Sequence, residues 1–349
     1  MSVQCGLIGL PNVGKSTIFN ILTKMNVPSL NFPFCTINPN IGFSYVNDKR
    51  LIELKKIVSP KKVISSVIKI VDIAGLVKGA SQGEGLGNKF LNEIKRVDAL
   101  IHVVRCFKDN KITHVHNRID PIGDIDIINT ELIFSDIDIC EKNLLLLKNL
   151  KNNNKSFLIE EKNLLNKCLL NLKNFIFLRK LSFSSKEIFL IKKFNFLTLK
   201  PTIFLINISK NKEDNVNFKK LKNFLKKDII NTICPNILTG VYKNVNNRSV
   251  NLSKIIYSIY KILNLKTFFT VGKEEIRAWP FLKNSKCIDV SKIIHSDFKK
   301  GFIRAKIISY KDFIKYKSEI SVKKAGKLRL EGKNYFVQDG DIIHFLFNV

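Results

Sequence analysis

Apolar positions along this chain follow two periods, and the change between them divides it. As far as residue 134, short continuous apolar runs alternate with helical patterns and glycine loops. This is the texture of strands buried on both faces of a parallel sheet and joined by crossover helices. Val3–Ile8, Val67–Asp72 and Ala99–Arg105 are predicted strands, and Thr17–Lys24 reads as the first turns of a helix. From about Glu131 to Phe196, leucine, isoleucine and phenylalanine recur at helical spacing among lysines, with no Gly or Pro. Asn152-Asn153-Asn154 interrupts that stretch, which predicts two long helices folded back as a hairpin. Strand character returns at Pro201–Asn207, so the α/β domain is interrupted by the helices, not ended by them. From about Lys266 short strands with glycine turns follow, as in Arg329–Val337 and Asp341–Phe347, the pattern of a small α+β domain. The predicted division is an α/β domain of residues 1–134 and 200–265, a helical insertion at 135–199, and a C-terminal domain at 266–349.

Composition adds scale and one ambiguity. With 349 residues and 45% hydrophobic content, the chain suits two or three packed cores. The formal net charge of +30 has two explanations. One is neutralisation of phosphates on a nucleic-acid or ribosomal partner. The other is an A/T-rich codon bias, because Lys, Asn, Ile and Phe are abundant everywhere, core-like segments included. The seven cysteines are scattered, odd in number and never in C-x-x-C spacing, which argues against a disulfide framework or zinc site and for a reducing compartment. No apolar run approaches the ~20 residues needed to span a bilayer, and the N-terminus has no leader-like charge and apolar pattern. A cytoplasmic protein without membrane contact is expected.

The chemistry concentrates at Gly9-Leu10-Pro11-Asn12-Val13-Gly14-Lys15-Ser16-Thr17, which fits G-x-x-x-x-G-K-[ST] between a predicted strand and a predicted helix. Glycines let the backbone wrap round an anion, and N–H groups at a helix N-terminus point at phosphates. Lys15 would neutralise β/γ-phosphate charge and the Ser16 hydroxyl would bind Mg²⁺. Asp72-Ile73-Ala74-Gly75 is a D-x-x-G segment at a strand end, its carboxylate suited to hold Mg²⁺ through water and the Gly75 N–H to meet the γ-phosphate. Thr36, in the Pro-containing stretch Asn31–Asn40, is placed as a second hydroxyl ligand to Mg²⁺. Where Ras-like enzymes carry a water-positioning Gln, this chain has Leu76, so slow or assisted turnover is expected. The guanine-reading pattern N-K-x-D is absent, since the strand end reads Asn207-Ile208-Ser209-Lys210. Adenine or relaxed specificity follows.

These stretches, together with His102–Phe107, Val71–Ala80, Gly301–Ala305 and Val337–Asp341, resemble the YchF family of Obg-like P-loop ATPases almost end to end. The resemblance implies an Obg-type G domain with a doubly wound, mostly parallel sheet, an antiparallel helical arm, and a C-terminal TGS domain of β-grasp type. It also implies Mg²⁺-dependent hydrolysis of ATP in preference to GTP, and association with ribosomes (the large subunit, and RNA through the arm and TGS domain). The family's nucleotide loop falls on Asn12, Val13, Gly14, Lys15, Ser16 and Thr17, its adenine-facing segment on Asn207 and Ile208, and its Mg²⁺ hydroxyls on Ser16 and Thr36. Its candidate for assisting hydrolysis is His114, a group able to orient water near neutral pH. Lys210 stands where the family usually has Glu, and Asn38 likewise replaces a usual Glu. An Obg-like GTPase in ribosome assembly and a nucleotide-sensing ribosome- or RNA-binding module with vestigial hydrolysis are the alternative functions. Oligomeric state is left open.

Overall fold

The computed structural model describes residues 3–24, 40–73, 86–108, 119–149, 155–208, 214–226, 228–234 and 245–348. Two compact units emerge: one of residues 4–42 and 69–252, the other of 1–3, 43–68 and 253–349.

In the first unit the strands β1 (Gln4–Ile8), β2 (Ile41–Tyr45), β4 (Val67–Asp72), β5 (Ala99–Arg105), β6 (Thr202–Asn207) and β7 (Ile229–Ile233) contribute to a sheet of order β2-β4-β1-β5-β6-β7. The β4-β1-β5-β6-β7 pairings are parallel, as the continuous apolar runs predict. All seven residues of β5 are buried, which explains the lack of alternation in its sequence. Helix α1 (Lys15–Lys24) follows β1, and α3 (Leu86–Arg96) crosses from β4 to β5. This is the predicted doubly wound arrangement.

The arm starts earlier than its sequence pattern suggests. Helix α4 runs from Pro121 to Asn149, so the predicted cut at 134/135 falls inside it. Its start is set by chemistry local to the chain. The Asp120 carboxylate accepts from the Gly123 N–H at 3.1 Å, and Pro121 sits where a missing N–H costs nothing. Helix α5 (Lys155–Lys173) packs back against α4, and the asparagine run lies between them as predicted. Helix α6 (Ser185–Ile191) follows, opened by a reciprocal capping box between Ser184 and Glu187. A 3-10 turn at Lys192–Phe194 ends at Asn195 in the left-handed region, φ 50°. Seven residues later the chain re-enters the sheet as β6.

The second unit carries a mixed six-stranded sheet of order β11-β10-β12-β8-β9-β3. Its strands are β3 (Lys62–Ile64), β8 (Leu265–Val271), β9 (Glu275–Leu282), β10 (Phe302–Ser309), β11 (Arg329–Glu331) and β12 (Asp341–Phe347). Neighbouring apolar residues split between its faces, as a pleated strand requires. Phe268, Ile307 and Ile343 pack on one side with Cys287 and Val290, and Phe269, Ile308 and Ile342 on the other with Leu51 and Leu54. Leu51 and Leu54 belong to α2 (Lys49–Val58), and β3 extends the sheet parallel to β9. Helix α2 and strand β3 therefore fold with the C-terminal unit, whereas the sequence pattern places them in the α/β domain. A three-residue strand carries no local signal for the sheet it joins.

Candidate nucleotide site

The loop between β1 and α1 is shaped by three residues outside the right-handed region or in close approach. Asn12 has φ 62° and Gly14 φ 94°, the latter in a range that a side chain adopts only with strain. A Cβ on Gly14 would stand 2.5 Å from the Asn207 amide nitrogen, and one on Gly9 would stand 2.7 Å from the Val103 carbonyl oxygen. The motif's glycines are thus required by β5 and β6, which press against the loop.

Within the loop, Lys15 Nζ donates to the carbonyl oxygens of Gly9 and Leu10, each at 3.3 Å. These bonds hold the ammonium over the loop. Desolvation pulls its pKa below the ordinary lysine value, and the nearby Asp72 charge opposes that shift. Ser16 Oγ donates to Asp72 Oδ2 at 3.1 Å, so the two predicted Mg²⁺-holding residues already meet. Desolvation raises the Asp72 pKa, against the Ser16 hydrogen bond and the Lys15 charge. Asp72 Oδ1 is buried with no hydrogen-bond partner among the described residues. A buried carboxylate oxygen left this way costs free energy unless a hydrogen-bond donor or a cation meets it. The donor set of hydroxyl and carboxylate oxygens beside an ammonium suits a hard divalent cation next to polyphosphate.

Asn207 closes the other side. Buried at 3% exposure, it ends β6 and donates from Nδ2 to the Val13 carbonyl at 2.9 Å, while its Oδ1 lacks a partner among the described residues. The sequence reading placed Asn207 toward the base; the geometry gives it the further task of bracing the phosphate loop. No sequence signal marks that brace, because its partners stand 194 positions apart. Ile208 is half-buried, packs with the β5–β6 core and donates its N–H to the Ile233 carbonyl at 3.0 Å. Val13 is buried, whereas Asn12, Ser16 and Thr17 are exposed. Thr36, Gly75, Leu76, His114 and Lys210 lie outside the described residues.

Known proteins resemble this chain along its whole length. A family profile described as a 50S ribosome-binding GTPase matches residues 4–134, and the profile of the YchF GTPase C-terminal domain, described as a protein of unknown function, matches 265–348. The ribosome-binding ATPase YchF of Buchnera aphidicola from Acyrthosiphon pisum is 53% identical over 365 aligned positions, with 100% of each chain covered. The protein of that name from Escherichia coli O157:H7 is 42% identical over 363 positions, again with 100% of each covered. The solved structure of the Schizosaccharomyces pombe YchF GTPase superposes with a TM-score of 0.86 at 32% identity, covering 99% of this chain and 98% of that one. Since phosphate loop, arm and C-terminal sheet all fall within these end-to-end matches, the chain is a P-loop NTPase and belongs to the YchF family.

Proposed function

We propose that this protein is a slow, Mg²⁺-dependent ATPase whose nucleotide state governs docking to the ribosome. The observation that carries the reading is the meeting of Ser16 Oγ with Asp72 Oδ2 beside Lys15, with Asp72 Oδ1 left for a ligand. Ser16 and Asp72 would hold Mg²⁺, directly or through water, together with Thr36. The ion would supply charge neutralisation between the phosphates. The chain's own residues bind and orient: loop N–H groups from Asn12 to Thr17 face the phosphates, Lys15 offsets their charge, and Gly75 meets the γ-phosphate. Leu76 offers no polar atom to water, so turnover depends on His114 or on the docked partner. Without an Asp after Asn207, the base pocket has no acceptor for the guanine edge, which favours ATP. The relatives named as ribosome-binding ATPases support both activity and partner. The C-terminal unit, read as a TGS domain, and the helical arm are the surfaces for ribosomal RNA, large subunit included.

Titration with fluorescent ATP and GTP analogues, with and without ribosomes, tests this reading. ATP should bind at least ~10-fold tighter than GTP, a difference of about 1.4 kcal/mol. Lys15→Ala should lower turnover by ~100-fold or more, on the scale of losing one preorganised charge. A clear GTP preference would move the protein to the GTPase reading, which the name of the Schizosaccharomyces pombe relative favours. Turnover equal to a no-enzyme control even with ribosomes would leave a binding module.

A further inference from the structure

Six residues that return the arm to the sheet are tied to more elements than a connector needs. Asp136 of α4 is fully buried, and its carboxylate accepts from Leu197 N at 2.9 Å, Thr198 N at 2.8 Å and Thr198 Oγ1 at 2.6 Å. Glu161 of α5 pairs with Lys193 at 2.5 Å. Helix α4 is therefore bound to the segment itself, and α5 to the turn just before it. The same segment also reaches α3. Lys200 Nζ donates to the carbonyls of Lys95 at 3.0 Å and Val97 at 2.6 Å, and Asn195 Nδ2 donates to the Lys95 carbonyl at 3.2 Å.

Lys200 is the informative member. It is only 9% exposed, and no carboxylate hydrogen-bonds to its ammonium among the described residues. Asp98 and Asp136 lie near enough to favour its charge, yet desolvation lowers its pKa on balance. Water would satisfy the last carbonyls of a helix at far lower cost than a buried ammonium. The expense ties the C-terminus of α3 to a point 105 positions away. On one side of that point stand α4 and α5. On the other, β6 begins at Thr202, runs in register with β5 as far as Arg105↔Asn207, and ends with Asn207 bracing the phosphate loop. Helix α3 is the crossover between β4, which carries Asp72, and β5. Hydrogen bonds thus connect the arm's base with α3, and the same segment continues as β6 to Asn207 at the phosphate loop.

We propose that residues 195–200 form a clasp that couples the helical arm to the nucleotide site, with Lys200 and Asp136 as its positioning residues. The coupling rests on the nucleotide-binding reading of that site. It runs both ways: a ligand that shifts α3 or the phosphate loop moves the arm, and a partner that grips the arm shifts nucleotide affinity by the same factor.

Hydrogen–deuterium exchange of the full chain in the nucleotide-free, ADP and ATP-analogue states tests the clasp without requiring hydrolysis or ribosomes. The arm helices of the wild-type chain should exchange at nucleotide-dependent rates. In Lys200→Met, which keeps the length and apolar packing of the side chain, that difference should fall at least ~5-fold while nucleotide affinity stays within about threefold. A merely structural Lys200 would change the arm's exchange equally in all states. Asn195→Ala, which removes one exposed tie, should roughly halve the difference and provides the test if Lys200→Met does not fold. Arm exchange that ignores nucleotide in the wild type, or a full response retained in the variants, would overturn the clasp. A wild-type chain that binds no nucleotide in the parallel titration sinks the reading of the site itself, and the coupling with it.

Discussion

At the scale of single residues, the site is a set of close approaches that tolerate few atoms more or less. Gly14 shows this best. A methyl group there meets the end of Asn207 and demands a backbone conformation that side chains resist. Gly14→Ala should cost about 1–3 kcal/mol of stability and weaken nucleotide binding, because Asn207 must release the Val13 carbonyl. Urea denaturation alongside a titration with a fluorescent nucleotide checks both effects; unchanged affinity would mean that the brace is dispensable. The residue types at this site were legible in the chain, since G-x-x-x-x-G-K-S binds phosphate through neighbours in sequence. The Ser16–Asp72 meeting also follows from motif logic. Asn207's hold on Val13 was not, because nothing near either residue encodes the other.

Among the elements, the arm's base carries the clearest electrostatic prediction. Burial pushes the Asp136 carboxyl up to about 6, against three hydrogen bonds to Leu197 and Thr198 and the charge of Lys95. A carboxyl raised above its unfolded value of 3.8 favours folding most at low pH. That contribution is full below about 4, declines as pH rises to about 6, and is absent above. Asp136→Asn places an amide N–H where an acceptor stood, costing about 1–3 kcal/mol. Its destabilisation should be larger at pH 4.5 than at pH 7.5, measured by chemical denaturation at both; equal losses would show that Asp136 does not titrate in this range. The helical period located the arm and its asparagine break, but it missed the onset of α4. There the signal is the Asp120-Pro121 cap, which lies before the leucine-rich pattern starts.

For the whole molecule, the open question from composition is whether the net charge of +30 serves binding. If it does, log affinity for ribosomes should fall with log salt at a slope of about −3 or steeper, the signature of several released counterions. A slope flatter than about −1 on the same plot assigns the excess lysine to codon bias. The division into domains was legible only in part. Periodicity separated the arm from the sheets, yet α2, β3 and residues 253–265 fold with the C-terminal unit. The phosphate-loop motif, the parallel sheet and the presence of an arm are readable from the chain alone, because motifs and periodicity are properties of neighbouring residues. Assembly of the folded molecule sets which sheet β3 extends, the brace from β6 to the phosphate loop through Asn207, and the tie of Lys200 from the arm's return to α3. Those choices are made by packing between segments about a hundred or more residues apart, where burial and hydrogen-bond satisfaction of the assembled molecule outweigh any local preference.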